Sequence, residues 1–396
     1  MANMIDYMKW RGDIGFDKSP VNEVDFLILS TLSYLRFSDI VHKNFKQDIT
    51  LQKAAELFAN AKDFEIRKSE TENVDPNTVE VLEIAGKTTR FGQLKLNGFW
   101  DRLNIEKEEQ FAAITFTSKE AKWTCITFRG TDNNLIGWKE DFNLAIMDEV
   151  PSQADAVEYF NEAASFKKET LYVAGHSKGG NLAIYAAKHA KDKFKKRIKY
   201  VYDFDGPGFY QSFFTDESYK KVKDKIKTYV PGLSIVGALF WHDGPYTALQ
   251  SSGRGIYEHD PLNWQIIANH FDELPDVTED SKSLRRAVNE WIVHISPSAK
   301  KTFIDTVFKL LLDTNAKTLM SLQHNMWENL YKVLKGLKNL DKDTKELVND
   351  VLKLLTKYMR TNVEEKIKRN SKNFIENLNP ENKKKSSAKN VKKIKK

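Results

Sequence analysis

Leu171-Tyr172-Val173-Ala174-Gly175-His176-Ser177-Lys178-Gly179-Gly180-Asn181-Leu182-Ala183 is an apolar strand-like run that ends at a G-x-S-x-G turn. A small-residue helix, Leu182-Ala183-Ile184-Tyr185-Ala186-Ala187, is predicted straight after it. Strand, sharp turn and helix in that order make a nucleophile elbow, which holds a serine hydroxyl clear of a sheet. Gly175 and Gly179 flank Ser177 at the points where a side chain would collide with the neighbouring strand and helix. A bare G-x-S-x-G carries little weight; the strand before it and the helix after it make it specific.

Outward from the elbow, strands and helices alternate. Toward the N-terminus, Gln153 to Phe166 predicts a helix, and Gln110 to Thr117 and Trp123 to Phe128 predict two strands joined by Ser118-Lys119-Glu120-Ala121-Lys122. Residues 1–90 read as a mostly helical lead-in packed on the core. Val24 to Leu35 is apolar nearly all round, Ile49 to Lys62 is amphipathic, and Glu70 to Asn77 is rich in turn residues. Toward the C-terminus, Lys199 to Asp205 is a strand that stops at Gly206-Pro207-Gly208, and Ile226 to Val230 is another. The alternation argues for a mainly parallel sheet between helical layers. With the elbow it implies an α/β-hydrolase core over residues 91–280. Residues 281–380 return to helix, with apolar spacing at Leu340, Leu347, Val351, Leu354, Leu355 and Tyr358 that suits a packed cap. Residues 381–396 read as a disordered lysine-rich tail.

A serine needs a base to take its proton and a carboxylate to orient that base. In this fold acid and histidine follow the serine in chain order. Of the histidines after Ser177, His189 lies on the elbow helix, and His294 and His324 fall in helical patterns. His259 lies in an aperiodic loop, Ser251 to Trp264, beyond the last strand, where a catalytic histidine belongs; His242 is the alternative. Asp205 sits at the carboxyl edge of its strand, where open α/β sheets place their sites, with Asp243 and Asp260 as alternatives. The oxyanion hole calls for the N–H of Lys178 and a donor from an earlier strand–loop junction. Phe128-Arg129-Gly130-Thr131-Asp132 supplies that junction, with Thr131 as the donor and Arg129 as an anchor by salt bridge. This chemistry calls for no cofactor and no metal.

Composition narrows the setting. Across 396 residues, 41% hydrophobic and 12% aromatic content suffices for a packed core. A single cysteine, Cys125, excludes a disulfide framework and reads as a buried, inert thiol. No run approaches 18 uncharged apolar residues and no signal-peptide core follows Met1, so the expected compartment is the cytoplasm. The formal charge is +7, but residues 383–396 hold eight lysines and no acid, so what precedes them carries −1. Basicity therefore belongs to the tail, which could make weak contact with anionic membrane or nucleic acid.

Two segments together resemble the class 3 (fungal-type) lipases. Ile126-Thr127-Phe128-Arg129-Gly130-Thr131 followed by Gly137-Trp138-Lys139-Glu140-Asp141-Phe142 is similar to that family's F-R-G-T…D-W-x-x-D stretch, and the second segment is the elbow. Gly175 to Asn181, Asp205-Gly206-Pro207-Gly208-Phe209 and the Ser251 to Trp264 loop look more closely like the Mbeg-like family of bacterial hydrolase-like proteins. Tyr7 to Asp13 and Val24 to Ser30 extend that resemblance over roughly residues 4–270. It implies a serine hydrolase acting on a carboxylic ester or lipid-like substrate through Ser177, His259 and Asp205. The alternative is a non-catalytic hydrolase fold that binds an acyl ligand or a protein partner. Two departures stand out. Lys178 occupies a position that class 3 lipases keep apolar. Those lipases also take their acid after the next strand, where Tyr229 to Val236 offers Ser234, and this moves the acid to Asp205.

Overall fold

A computed structural model describes residues 2–305, apart from 73–76, 133–134, 295, 297, 299 and 302–303. The chain opens with α1 (Met4–Arg11), α2 (Glu23–Leu32), the short strand β1 (Ile49–Thr50), α3 (Leu51–Ala59), α4 (Phe64–Glu72), α5 (Thr78–Lys87) and α6 (Thr89–Gly92). Three longer strands follow, β2 (Lys95–Asn104), β3 (Glu109–Ser118) and β4 (Trp123–Phe128). Next come α7 (Leu135–Asn143), α8 (Pro151–Phe166), β5 (Thr170–His176), α9 (Lys178–His189), α10 (Asp192–Lys195), β6 (Ile198–Phe204), α11 (Glu217–Lys220) and β7 (Ile226–Pro231). The described part closes with β8 (Tyr246–Leu249), β9 (Ile266–Ile267), β10 (His270–Phe271), β11 (Glu273–Leu274) and α12 (Glu279–His294).

Among the described residues one sheet runs β1-β2-β3-β4-β5-β6-β7-β8-β11, with β9 and β10 forming a separate hairpin. Strands β4 to β8 pair in parallel, so each is joined to the next by a crossover, helical as far as β7 and an irregular loop between β7 and β8. β1 to β4 form an antiparallel flank, and β11 adds an antiparallel edge. The sheet is thus mixed, with its parallel part carrying the elbow. Helices cover both faces, and the fold is that of an α/β-hydrolase. β2 escaped the sequence reading because its register shifts between Asn97 and Trp100 and blurs the alternation.

The N-terminal helices are part of this core. Val24 to Leu32 of α2 is buried on every side, and the Phe26 ring lies 4.5 Å from Tyr202 and 4.6 Å from Tyr172, side chains of β6 and β5. Asp25 serves two purposes. Its carboxylate accepts the Asn22 N–H at 2.9 Å, closing a capping box at the start of α2. It also accepts Tyr7 Oη–H at 2.9 Å and two N–H groups of the buried Arg90 at 2.7 and 2.5 Å. One buried carboxylate therefore ties α1, α2 and α6 together, with donors enough to offset its desolvation. Of the C-terminal expectations, α12 is described. The apolar spacing from Leu340 to Tyr358, His324 and the lysine tail lie outside the described residues.

Candidate functional site

β5 ends at His176, and Ser177 breaks the strand at φ 59°, ψ −134°, a conformation that a side-chain-bearing residue adopts only under constraint. Its N–H donates to the Phe204 carbonyl at 2.9 Å, and its own carbonyl accepts the Gly180 N–H at 2.8 Å. The flanking glycines are needed for closeness. A Cβ on Gly175 would sit 2.1 Å from the Gly179 carbonyl oxygen, and one on Gly179 would sit 2.1 Å from that of Phe128. No hydrogen bond ties up the Ser177 hydroxyl among the described residues.

β6 ends at Phe204, and Asp205 breaks it in the same way, at φ 54°. Its N–H still reaches the Tyr229 carbonyl at 2.8 Å, while the turn brings the carboxylate to the Ser251–Trp264 loop. There Asp205 Oδ2 accepts His259 Nδ1–H at 2.6 Å. Oδ1 accepts the Ser234 hydroxyl at 2.5 Å and the Gly237 N–H at 3.2 Å. The carboxylate is wholly buried, and these three donors replace the water it has lost. His259 closes a short 3-10 turn, Gly255–His259, with its ring 24% exposed. With Nδ1–H committed to the carboxylate, Nε2 carries the free lone pair that a general base needs.

A second histidine holds the first. His176 Nε2 lies 2.9 Å from the His259 carbonyl oxygen, which can only accept, so Nε2 carries the proton. Nδ1 is then the acceptor for the Tyr34 hydroxyl at 3.0 Å. Burial first, and the neighbouring His259 second, hold this imidazole well below its ordinary value and therefore neutral. The two rings lie with centroids 4.5 Å apart and planes tilted by 32°. Sequence reading missed His176, Tyr34 and Gly237, since nothing local marks a contact made across 83, 142 or 32 residues.

The other candidates do not join the Asp205–His259 pair. His242 does not meet the Asp205 carboxylate; its Nε2 is buried with no hydrogen-bond partner among the described residues, and burial, then Arg285, pushes the ring down to about 4. Asp243 pairs with Lys223 at 2.8 Å, and Asp260 accepts the Leu262 N–H at 2.8 Å. His189 stacks on Tyr185, and His294 Nδ1–H donates to the Glu290 carbonyl.

Around the serine, Lys178 opens α9, so its N–H is among the helix amides that no intrahelical carbonyl can satisfy. Its ammonium turns away into a buried ion pair with Glu140 at 2.7 Å and donates to the Gln110 carbonyl at 2.9 Å. Glu140 in turn accepts the N–H groups of Gln110 and Ser152. The Thr131 hydroxyl donates to Asp141 Oδ2 at 2.6 Å. Burial raises the Asp141 carboxyl to about 6, with Lys178 and Thr131 opposing that rise. Arg129 pairs with Asp101 at 3.1 Å and anchors the loop.

The sequence profile of the Mbeg1-like family matches residues 85–309, more than half of the chain. The chain belongs to that family. No curated protein matches it in sequence. Among solved structures, this Mbeg1-like protein is similar to an M37 lipase at 17% identity, with 56% of this chain and 70% of that chain covered and a TM-score of 0.36. It is also similar to the Rhizomucor miehei lipase propeptide complex. A deletion mutant of that complex gives 16% identity, 57% and 65% coverage and a TM-score of 0.34; the native form gives 16%, 51% and 70%, and 0.30. No helix among the described residues is long and apolar enough to cross a membrane.

Proposed function

We propose that this Mbeg1-like protein is a serine hydrolase that cleaves carboxylic esters of a lipid-like or acyl substrate. The observation that carries the reading is the 2.6 Å bond from His259 Nδ1 to a buried Asp205, beside a serine held at φ 59° on an elbow. Ser177 Oγ attacks the ester carbonyl while His259 Nε2 takes the hydroxyl proton. Asp205 keeps the ring in the tautomer that can do so and stabilises the imidazolium that forms. The N–H groups of Lys178 and Thr131 face the oxyanion, and Asp141, by holding the Thr131 hydroxyl, fixes that residue's orientation. The imidazolium then protonates the departing alkoxide, leaving an acyl ester on Ser177. His259 activates a water that attacks this ester, and the carboxylic acid leaves as the serine regains its proton.

A fluorophosphonate probe tests the reading. The wild-type chain should be labelled and should hydrolyse short p-nitrophenyl esters. Ser177→Ala should lose both with its melting temperature nearly unchanged, and His259→Ala should lose orders of magnitude in kcat. An unlabelled, inactive wild type would favour a hydrolase fold that only binds its ligand.

A further inference from the structure

The loop between β7 and β8, residues 232–245, supplies both further donors to Asp205, the Ser234 hydroxyl and the Gly237 N–H. Apart from an isolated bridge between Phe209 and Trp241, this loop has no strand or helix of its own to fix it. α12 lies along it in register. Just before the helix, the Thr278 N–H donates to the Gly232 carbonyl at 2.8 Å. The Ser281 hydroxyl donates to the Ser234 carbonyl at 2.9 Å. Arg285 reaches the Gly237 carbonyl at 3.3 Å, and Asn289 reaches that of Phe240 at 3.3 Å. Ser281, Arg285 and Asn289 are four residues apart and so form one stripe of the helix. Two of the residues they grip, Ser234 and Gly237, also hold the acid. Ser234 is held by its carbonyl and holds Asp205 by its hydroxyl; Gly237 does the same through its carbonyl and its N–H. The approach is close: a Cβ on Gly237 would fall 2.4 Å from Asp205 Oδ1.

We infer that α12 is a positioning element for catalysis, in which Ser281, with Arg285 and Asn289, sets the loop that orients Asp205 and through it His259. This inference rests on the reading of Ser177, His259 and Asp205 as a triad. Ser281 and Ser234 are both wholly buried, so their bond is shielded from competing water and is the strongest of the three. Loss of the Ser281 hydroxyl frees the Ser234 peptide, loosens its hold on Oδ1, and lets the His259–Asp205 pair drift from the productive geometry.

The test compares the full chain with Ser281→Ala, Ser281→Thr and Asn289→Ala. Ser281→Ala should lower kcat on p-nitrophenyl esters about tenfold at nearly constant KM. It should also displace the acid limb of the kcat/KM–pH profile, with Ser281→Thr restoring much of both. In parallel, proton NMR follows the low-field Nδ1–H resonance of His259 in a Ser177→Ala background, where turnover plays no part. Its solvent exchange should quicken about tenfold in Ser281→Ala, and to a smaller degree in Asn289→Ala, as the bond opens more often. Should Ser281→Ala fail to fold, Asn289→Ala and the Nδ1–H exchange rate decide. A lower melting temperature with unchanged kcat, pH limb and exchange rate would make α12 a purely structural support and overturn the inference. Failure of the triad itself reads differently: wild type unlabelled by the probe, or Ser177→Ala still active. In that case the exchange rate alone decides whether α12 controls the His259–Asp205 bond.

Discussion

Asp203 lies two residues before the proposed acid, buried beneath the turn that presents it. Its Oδ1 accepts the Gly206 N–H at 2.9 Å. Burial, opposed by that N–H, raises the carboxyl to about 8. The folded protein therefore keeps a proton that the unfolded chain gives up from about pH 4. This group's contribution to stability is full below that pH and is lost as pH rises through about 8. Asp203→Asn, neutral and nearly isosteric, should flatten this decline. Thermal unfolding across the range should show the variant melting several degrees above wild type at pH 8 and close to it at pH 4. Parallel curves would mean that Asp203 is ionised in the fold. Asp205, by contrast, has its three donors, and Asp205→Asn should lower kcat by orders of magnitude because the amide no longer fixes the His259 tautomer.

At the scale of elements, the start of α9 is pinned to α7 and β3 through Lys178. Its ammonium and the Glu140 carboxylate are both buried, 2.7 Å apart, and the carboxylate also takes two backbone N–H groups. Removing one partner strands a charge. Lys178→Leu should destabilise the protein by about 3–5 kcal/mol, and pairing it with Glu140→Gln should recover part of that loss. Because the ammonium is committed to this pair, the preference between neutral and anionic esters should not change. A variant of unaltered melting temperature that discriminates against anionic esters would place the ammonium in substrate recognition instead.

At the scale of the molecule, the family match begins at residue 85, yet the core extends further toward the N-terminus. α2 lies on β5 and β6 through Phe26, and Asp25 binds Arg90, which lies within the matched region. A chain lacking residues 1–48 would expose that face of the sheet and strip Arg90 of Asp25 and of the Ile14, Ser19 and Pro20 carbonyls that bind it. It should be insoluble or lack cooperative melting. Arg90→Met should cost about 3–5 kcal/mol in the full chain, read by urea unfolding. A truncated chain that melts cooperatively near the full-length temperature would show that the hydrolase core stands alone.

Local patterns determined much of this protein. The elbow, the neighbouring strands, the buried α2 and the loop holding His259 follow from side-chain periodicity and from turn residues a few positions apart, interactions that a short stretch of chain expresses by itself. Lys178 stood out in sequence as a charge at an elbow, but its partner Glu140 lies 38 residues away, and only the folded chain brings the two together. The same holds for the proposed acid, Asp205. Sequence could place Asp205 at a strand end beside the alternatives Asp243 and Asp260. The turn of its carboxylate depends on a left-handed backbone at φ 54° and on donors 29, 32 and 54 residues away. Those donors come from the β7–β8 loop and the His259 turn, which reach Asp205 only once β6, β7 and β8 have paired. Tertiary structure decided the orientation of the acid because a buried carboxylate takes whichever donors the assembled fold supplies, and no local signal in the sequence records which those are.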